Sequence, residues 1–477
     1  MNATKRSLAA CLVAHGTREV YFTGDSSQRD EQCGNCKRPA SHCFPISKLA
    51  LVRKASPVQI EIINTGSELM LGRVLNTHQQ WLCRQLSDLG YVVNRQVAVS
   101  DEGMQIREAV RESLSRADFI ITTGGLGPTN DDRTRDLIAE LIDVELVRND
   151  GVLQRIVDFF ASRKRPMPES TKIQAMVPRD ALVLMNAHGT APGLVMEIAA
   201  GKFRGASTWL VMLPGPPREL RPMFTDQIVP WLREKLPCET EFACRTLKTT
   251  GLGESRVEEL IAPHLKHLTD AGLDLGYCAR TGEVDVRFVA RGCGAQQNVT
   301  EAESITRRLI GEHIFGTDDD QLEEALVRLL TERKQMLALA ESCTGGYIAN
   351  RITNVAGASA VLWGGAVTYA NEAKMKWLGV RNETLAAHGA VSEETAREMA
   401  EGARRISDAD FALATTGIAG PGGGTEEKPV GLVFIGFATR QNTRGYKFLN
   451  RFDRETFKYV TSQQALEILR RELIRNS

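Results

Sequence analysis

The chain has 477 residues, 42% of them hydrophobic and 25% charged, which is too long for one core and ordinary for a globular protein of two to four domains. Lys+Arg and Asp+Glu are both 59, so the net charge is zero. That balance gives no support for wholesale nucleic-acid or membrane binding, and no run approaches the roughly 18 apolar residues of a spanning helix.

At the start, Lys5-Arg6 before Leu8-Ala9-Ala10-Cys11 mimics a lipoprotein cleavage box, but only four residues separate Arg6 from Cys11. A secretory leader needs an apolar segment of about 7 to 15 residues there, so a cytoplasmic protein without membrane partners is expected. Of the ten cysteines, Cys33-x2-Cys36 with His42 and Cys43 offers four potential zinc ligands. The irregular spacing after Cys36 leaves open a metal-free, poorly ordered extension over 1–57. The other six (83, 238, 244, 278, 293, 343) lie singly in apolar or strand-like settings, as buried reduced thiols do.

Alternation at Val58–Ile63 predicts a strand, followed by a Gly-rich turn and a helix through Trp81, Leu82, Leu86 and Leu89 that stops at Gly90. Residues 91–98 read as a strand, 103–116 as a helix, and Phe119–Thr123 as a buried strand running into Gly124-Gly125-Leu126-Gly127-Pro128. A helix starts near Thr134, and Trp209–Leu213 is a strand ending in Pro214-Gly215-Pro216-Pro217. Strands alternating with helices predict a mostly parallel α/β sheet, with ligands at the carboxyl ends of its strands. From about 240 to 316 strands (243–250, 283–290) flank helices (254–266, 299–311), a small α+β module. A third α/β unit follows: a helix to about 333, a strand at 336–340, a helix from 345, strands at 361–369 and 411–416, a hairpin (430–438 with 444–452) and a last helix. The expected fold is α/β: two separate three-layer α/β domains with mostly parallel sheets (58–235 and 319–477), joined by a small α+β middle domain (236–318).

The richest constellation is Glu341-Ser342-Cys343-Thr344-Gly345-Gly346, between a strand and a helix. Its glycines let a ligand approach the backbone, and the helix start offers N–H donors to an anion. Three nucleophilic side chains in a row leave the nucleophile ambiguous, and Ser or Thr as a plain helix cap is the alternative. Thr368-Tyr369-Ala370-Asn371-Glu372-Ala373-Lys374 forms a second cluster. The third runs from Thr416 to Gly431 and includes Gly417, Gly420, Gly422, Gly423 and Gly424, a backbone cradle or a flexible connector. It is not a P-loop, because no Gly-Lys-Ser/Thr closes it. His388 is the only histidine of this unit, so a Ser–His pair is poorly supported. Serine activated by a lysine that burial keeps neutral is the alternative, and Lys374, between Ala373 and Met375, is the candidate.

These three clusters closely resemble the CinA C-terminal family, the nicotinamide-mononucleotide deamidases, over nearly all of 325–477. The resemblance implies hydrolysis of the nicotinamide carboxamide to nicotinic acid mononucleotide and ammonia, with no cofactor. It implies Ser342 as nucleophile and Tyr369 and Lys374 as its activating partners. Thr344, Gly345, Gly346, Asn371, Gly417, Gly420, Gly422 and Gly423 would bind substrate, and N–H groups near Thr344 to Gly346 would stabilise the oxyanion.

In the front half, Thr123–Thr134 combines a glycine turn with the adjacent carboxylates Asp131 and Asp132 before a helix. Such carboxylates can hold Mg²⁺ against a phosphate, or simply favour a helix N-terminus. Residues 58–235 resemble the molybdopterin-binding, MoaB/MogA-like domain at the front of CinA proteins. Gly66-Ser67-Glu68, Gly124-Gly125, Gly189–Gly193 and Pro214-Gly215 carry the likeness. Residues 250–255 look like the middle domain of such proteins. The resemblance implies a divalent metal at Asp131 and Asp132 and an ADP-ribose pyrophosphatase activity. Ser67, where many relatives carry Asp, puts that activity in question. The alternatives are a non-catalytic pterin- or nucleotide-binding module in front, or a competence- or damage-associated interaction protein throughout. Partners are expected to be small nucleotide substrates and further copies of the chain, since relatives of both end domains associate.

Overall fold

In the computed structural model, which describes residues 58–238 and 240–475, three sheets follow one another along the chain. Cys33, Cys36, His42 and Cys43 lie outside the described residues.

The first sheet has the order β2-β1-β3-β8-β7-β6. Its strands are β1 (Ile60–Thr65), β2 (Val93–Val99), β3 (Phe119–Thr123), β6 (Leu182–Leu184), β7 (Gly193–Ile198) and β8 (Thr208–Leu213). β4 (Leu146–Arg148) and β5 (Met176–Pro178) form a separate antiparallel ribbon. β2, β1, β3 and β8 run parallel, while β7 and β6 extend the sheet antiparallel. Side chains alternate across the sheet. Ile60 and Ile62 face the cluster containing Leu82 and Leu86 of α2 (Thr77–Asp88). Ile63 faces the cluster formed with α3 (Gly103–Leu114) and α4 (Thr134–Leu141). A four-residue α1 (Ser67–Met70) follows β1, α5 (Asp150–Ser162) follows the β4 strand, and α6 (Pro217–Met223) and α7 (Val229–Lys235) close the unit. Helices therefore cover both faces, three layers as expected.

The middle module is β9 (Phe242–Thr250), α8 (Glu254–Asp270), β10 (Asp274–Arg280), β11 (Glu283–Arg291), α9 (Ala295–Ile310) and β12 (Ile314–Thr317). Its sheet is wholly antiparallel with the order β10-β11-β9-β12, the split β-α-β arrangement of ferredoxin-like modules. β10 and β12 were not anticipated. β12 has only four residues and β10 presents half-exposed and exposed ones, so neither gives a buried apolar run.

The last sheet has the order β14-β13-β15-β16-β17. It comprises β13 (Leu337–Glu341), β14 (Leu362–Val367), β15 (Phe411–Gly417), β16 (Leu432–Thr439) and β17 (Thr443–Leu449). β14, β13 and β15 are parallel, and the hairpin β16–β17 is antiparallel. The sequence Leu337-Ala338-Leu339-Ala340 sorts the two faces. The leucines pack under α10 (Leu322–Arg333), α11 (Tyr347–Thr353) and the 22-residue α15 (Arg454–Arg475). The alanines face α12 (Asn371–Leu378) and α14 (Glu393–Ser407). α13 (Asn382–His388) and α14 fill residues for which the sequence suggested no element. α14 lies very close to its neighbours: a Cβ on Gly436 would come 2.0 Å from the Ala396 carbonyl, and one on Gly402 would come 1.9 Å from that of Leu378.

The expectation of six buried thiols fails. Cys343 is buried, whereas Cys238, Cys278 and Cys293 are exposed and Cys83 and Cys244 are intermediate. Cys238, Cys278 and Cys293 sit in a loop, on the edge strand β10 and in a turn, where the chain meets water. No helix among the described residues is long and apolar enough to cross a membrane.

Candidate functional site

β13, β14 and β15 are neighbours and parallel, so their carboxyl ends deliver Ser342, Thr368 and Gly417 to one edge of the last sheet. This is where open α/β sheets bind ligands. Ser342 follows β13 directly and its N–H donates to the Thr415 carbonyl at 3.0 Å. Lys374, on the first turn of α12, is only 1% exposed. Its Nζ lies 3.2 Å from Ser342 Oγ, 2.9 Å from the Thr368 carbonyl and 3.1 Å from the Tyr369 carbonyl. Burial pushes the Lys374 ammonium below the ordinary lysine range, with Cys343 opposing the shift. A neutral amine has two N–H donors and one lone pair. The two carbonyls take the donors, which leaves the lone pair for the Ser342 hydroxyl.

The other two nucleophiles of the run are occupied elsewhere. Burial raises the Cys343 thiol to about 12, and the side chain packs with Ala419, Val433 and Phe457. Thr344 Oγ1 is buried 2.7 Å from Thr415 Oγ1. Of the three side chains, Ser342 is the one hydrogen-bonded to Lys374.

The expected anion site at the start of α11 is filled by the protein itself. Glu341, which the sequence reading gave no role, is 1% exposed and accepts the N–H groups of Gly346 at 2.9 Å, Ile348 at 3.2 Å and Ala349 at 2.9 Å. A carboxylate is favourable at a helix N-terminus, and one directly before a glycine-rich helix start is the signal that pointed to it. The Gly345 N–H donates to the Ser342 carbonyl. Among the described residues, Cys343 and Thr344 have the N–H groups of this turn without a protein acceptor. The N–H groups of this turn open to a ligand are therefore those of Cys343 and Thr344, and not those of Gly345 and Gly346.

Tyr369 also differs from expectation. Its ring is 62% exposed and its phenol oxygen accepts from Arg454 Nη2 at 2.9 Å, so its recorded contact with the Ser342–Lys374 pair is through its backbone carbonyl. Arg454, first residue of α15, also donates to the Gly420 carbonyl at 2.9 Å and so ties the glycine-rich loop to Tyr369. No sequence signal could have found it across 85 residues. Asn371 is exposed at the first position of α12, Gly417 and Gly420 lie at the base of the loop, and Gly422 and Gly423 are at its exposed tip.

In the front domain β1, β3 and β8, again parallel neighbours, end in Gly66, Gly124-Gly125 and Pro214-Gly215. These turns wall a cavity of about 530 Å³ that Glu68, Asp131, Asp132 and Glu219 also line. Gly124 and Gly125 have positive φ, and side chains there would strike the Thr65 carbonyl and Thr134. Ser67 is not isolated: its N–H donates to Asp101 Oδ2 at 2.8 Å, and the Asp101 N–H donates back to Ser67 Oγ at 3.2 Å. Asp101 thereby sets a carboxylate in the cavity beside Ser67. The expected metal pair does not fit an ion. Asp132 Oδ2 is turned onto the Thr129 N–H and hydroxyl, Asp131 is exposed, and among the described residues no three His, Cys, Asp or Glu side chains gather closely enough to hold one.

Two α/β domains whose parallel strands end in turns, joined by an antiparallel module, define a composite α/β protein, and comparison with known proteins agrees domain by domain. The family described as CinA C-terminal domain matches residues 319–473, the probable molybdopterin binding domain matches 61–234, and the damage-inducible protein CinA KH domain matches 244–316. A putative competence-damage inducible protein of Caldicellulosiruptor bescii is 44% identical over 417 residues, 87% of this chain and 99% of the relative. A CinA-like protein of Akkermansia muciniphila is 44% identical over 410 residues, 86% of this chain and 96% of the relative. The solved competence/damage inducible protein CihA of Agrobacterium tumefaciens is 47% identical, covering 31% of this chain and 91% of its own, with a TM-score of 0.31. The chain belongs to the CinA family.

Proposed function

We propose that the C-terminal domain is an amidohydrolase that converts nicotinamide mononucleotide to nicotinic acid mononucleotide and ammonia. The observation that carries this reading is the buried Lys374 amine 3.2 Å from Ser342 Oγ, its N–H groups already committed to two carbonyls. Ser342 Oγ attacks the carboxamide carbon and its proton passes to Lys374. The oxyanion takes hydrogen bonds from the N–H groups of Cys343 and Thr344. As the C–N bond breaks, Lys374 returns the proton to the leaving nitrogen and ammonia departs, leaving an ester on Ser342. Water then attacks that ester, gives a proton to Lys374 and releases the carboxylate, and Ser342 recovers its hydrogen. Tyr369, Asn371, Arg454 and the loop from Gly417 to Gly423 hold the nucleotide in this reading.

The test is ammonia release from nicotinamide mononucleotide by the full chain and by Ser342→Ala. The variant is expected to lose roughly 10⁴-fold or more in kcat. Release by neither protein would remove the amidase reading, and equal release by both would remove Ser342.

For the front domain we favour a binding module for a phosphorylated pterin or nucleotide. The turning of Asp132 onto Thr129 supports this over the ADP-ribose pyrophosphatase that the resemblance implies. Metal-dependent release of a mononucleotide from ADP-ribose would reverse that choice.

A further inference from the structure

A cavity of about 610 Å³ lies between the middle module and the C-terminal domain, within the size range of small-molecule sites. One wall is apolar: Tyr446 and Phe448 of β17 and Val460 and Ile468 of α15. The opposite wall is the turn Gly251-Leu252-Gly253 that opens the 17-residue α8. The first helical hydrogen bonds there run from Arg256 and Val257 to the Gly253 carbonyl, so the earlier N–H groups of α8 face the turn without helical partners. Arg471 reaches across from α15. A Cβ on Gly251, whose φ is +79°, would stand 2.9 Å from its Nη2. A second observation is independent of that helix end. Gln463 lines the same cavity and is 1% exposed; its Nε2 donates to Glu283 Oε1 at 2.7 Å, while its Oε1 is buried with no hydrogen-bond partner.

Two of the three carboxylates at the cavity are engaged, and the third, Glu254, is exposed at the first position of α8. Glu467 accepts from Arg470 at 2.7 Å and from Arg471 at 2.8 Å, and Glu283 lies 3.8 Å from Lys248. What the cavity offers a ligand is the edge of the Arg471 guanidinium, itself held by Glu467 at 2.8 Å and His313 at 3.0 Å, beside a glycine turn and helix start, with an aromatic and aliphatic plate and, in the wall, a buried acceptor without a donor. A helix N-terminus with an arginine suits a phosphate, the plate suits a planar base, and the acceptor suits an exocyclic amino group. From these we infer that the cavity between the middle module and the C-terminal domain binds a nucleoside monophosphate. The C-terminal domain closes one side, so the site takes a single nucleotide and not a strand. The inference does not depend on the amidase reading, because the cavity shares no lining residue with the Ser342–Lys374 pair.

The experiment is photolabelling of the full chain with 8-azido-AMP, followed by peptide mapping. Label is expected on residues 443–475 or 250–254. Excess AMP should displace it, and equal adenosine or inorganic phosphate should displace it at least tenfold less well. Ile468→Trp, which fills the cavity, and Arg471→Met, which removes the cation, should each cut this labelling about tenfold or more. Absence of label from both segments at millimolar probe would overturn the inference, as would labelling that survives both variants in folded protein. Displacement by phosphate as effective as by AMP would reduce the site to an anion site and overturn the nucleotide assignment. Should either variant fail to fold, the wild-type mapping and competition decide alone. Ammonia release, measured in parallel, reports separately on the Ser342 reaction.

Discussion

Burial lowers the pKa of Lys374, and the direction of that shift fixes two pH dependences. A base acts when deprotonated, so kcat/KM for ammonia release is expected to rise with pH and level off, with a midpoint below the ordinary lysine value of 10.5. A profile flat down to acidic pH, or one with a midpoint at an unshifted lysine, would count against Lys374 as the base. The burial of Lys374 has a stability consequence with the same pH direction as that of a paired carboxylate, since folding depresses the pKa in both, but here as a cost relieved and not a gain acquired. Its folded-state pKa lies below the unfolded value, so the cost of burying an ammonium is greatest below the folded pKa. That cost disappears as pH climbs through it towards the unfolded one. The stability of the wild type relative to Lys374→Met should therefore improve as pH rises through that window, which denaturant titrations at several pH values would read. Cys343 provides the contrast: with its thiol at about 12, it should stay unmodified by iodoacetamide at pH 7 in the folded protein, as mass spectrometry would show.

At the scale of elements, the distance from Lys374 to Ser342 depends on how closely helices approach the sheet. α12 delivers Lys374, and α14 packs against the end of α12 through Gly402, where even a methyl would meet the Leu378 carbonyl. Gly402→Val is expected to cost at least about 1–3 kcal/mol by overpacking and to lower kcat well beyond what the lost folded fraction explains, because α12 must shift. Unchanged kcat in the folded fraction would show that the pair tolerates movement of α12. Glu341 acts at the same scale. By satisfying three N–H groups of α11, it fixes the turn that carries Ser342 and removes that helix end as a phosphate site.

At the scale of the molecule, the two strand-end sites lie on different sheets and are built the same way, from three parallel neighbours ending in turns. The middle module touches both domains. Arg287 bonds Ser87 of the front domain at 2.8 Å, and Gln463 of the last helix bonds Glu283. Because nucleophile and base are side chains, ammonia release is expected to survive excess EDTA. Its loss, with recovery on adding a divalent ion, would show that the chemistry was assigned to the wrong groups. The middle module bears a KH description, but it places Gly251-Leu252-Gly253-Glu254 between a strand and a helix and has a wholly antiparallel sheet of four strands. A KH fold grips nucleotides with a Gly-x-x-Gly loop, whereas the turn here is Gly-x-Gly.

Local pattern was enough to determine the α/β class, most strands, the strand-end turns and the nomination of Lys374, because periodicity, glycine and neighbouring residue types are properties of short stretches, while Ser342 was named by the family resemblance. Local pattern missed α13, which buries Thr384, and α14, whose buried face of Ala396, Met399, Ala400, Gly402 and Ala403 is made mostly of small residues. It also could not say which nucleophile is free or where Tyr369 points. Nor could it show that Asp101 stands beside Ser67, or that Glu341 occupies the helix end. Those facts depend on which side chains meet across tens of residues, and only the folding of β13, β14 and β15 into one sheet, with α12 and α15 laid over its end, brings the partners within hydrogen-bond reach and shuts water from the amine of Lys374.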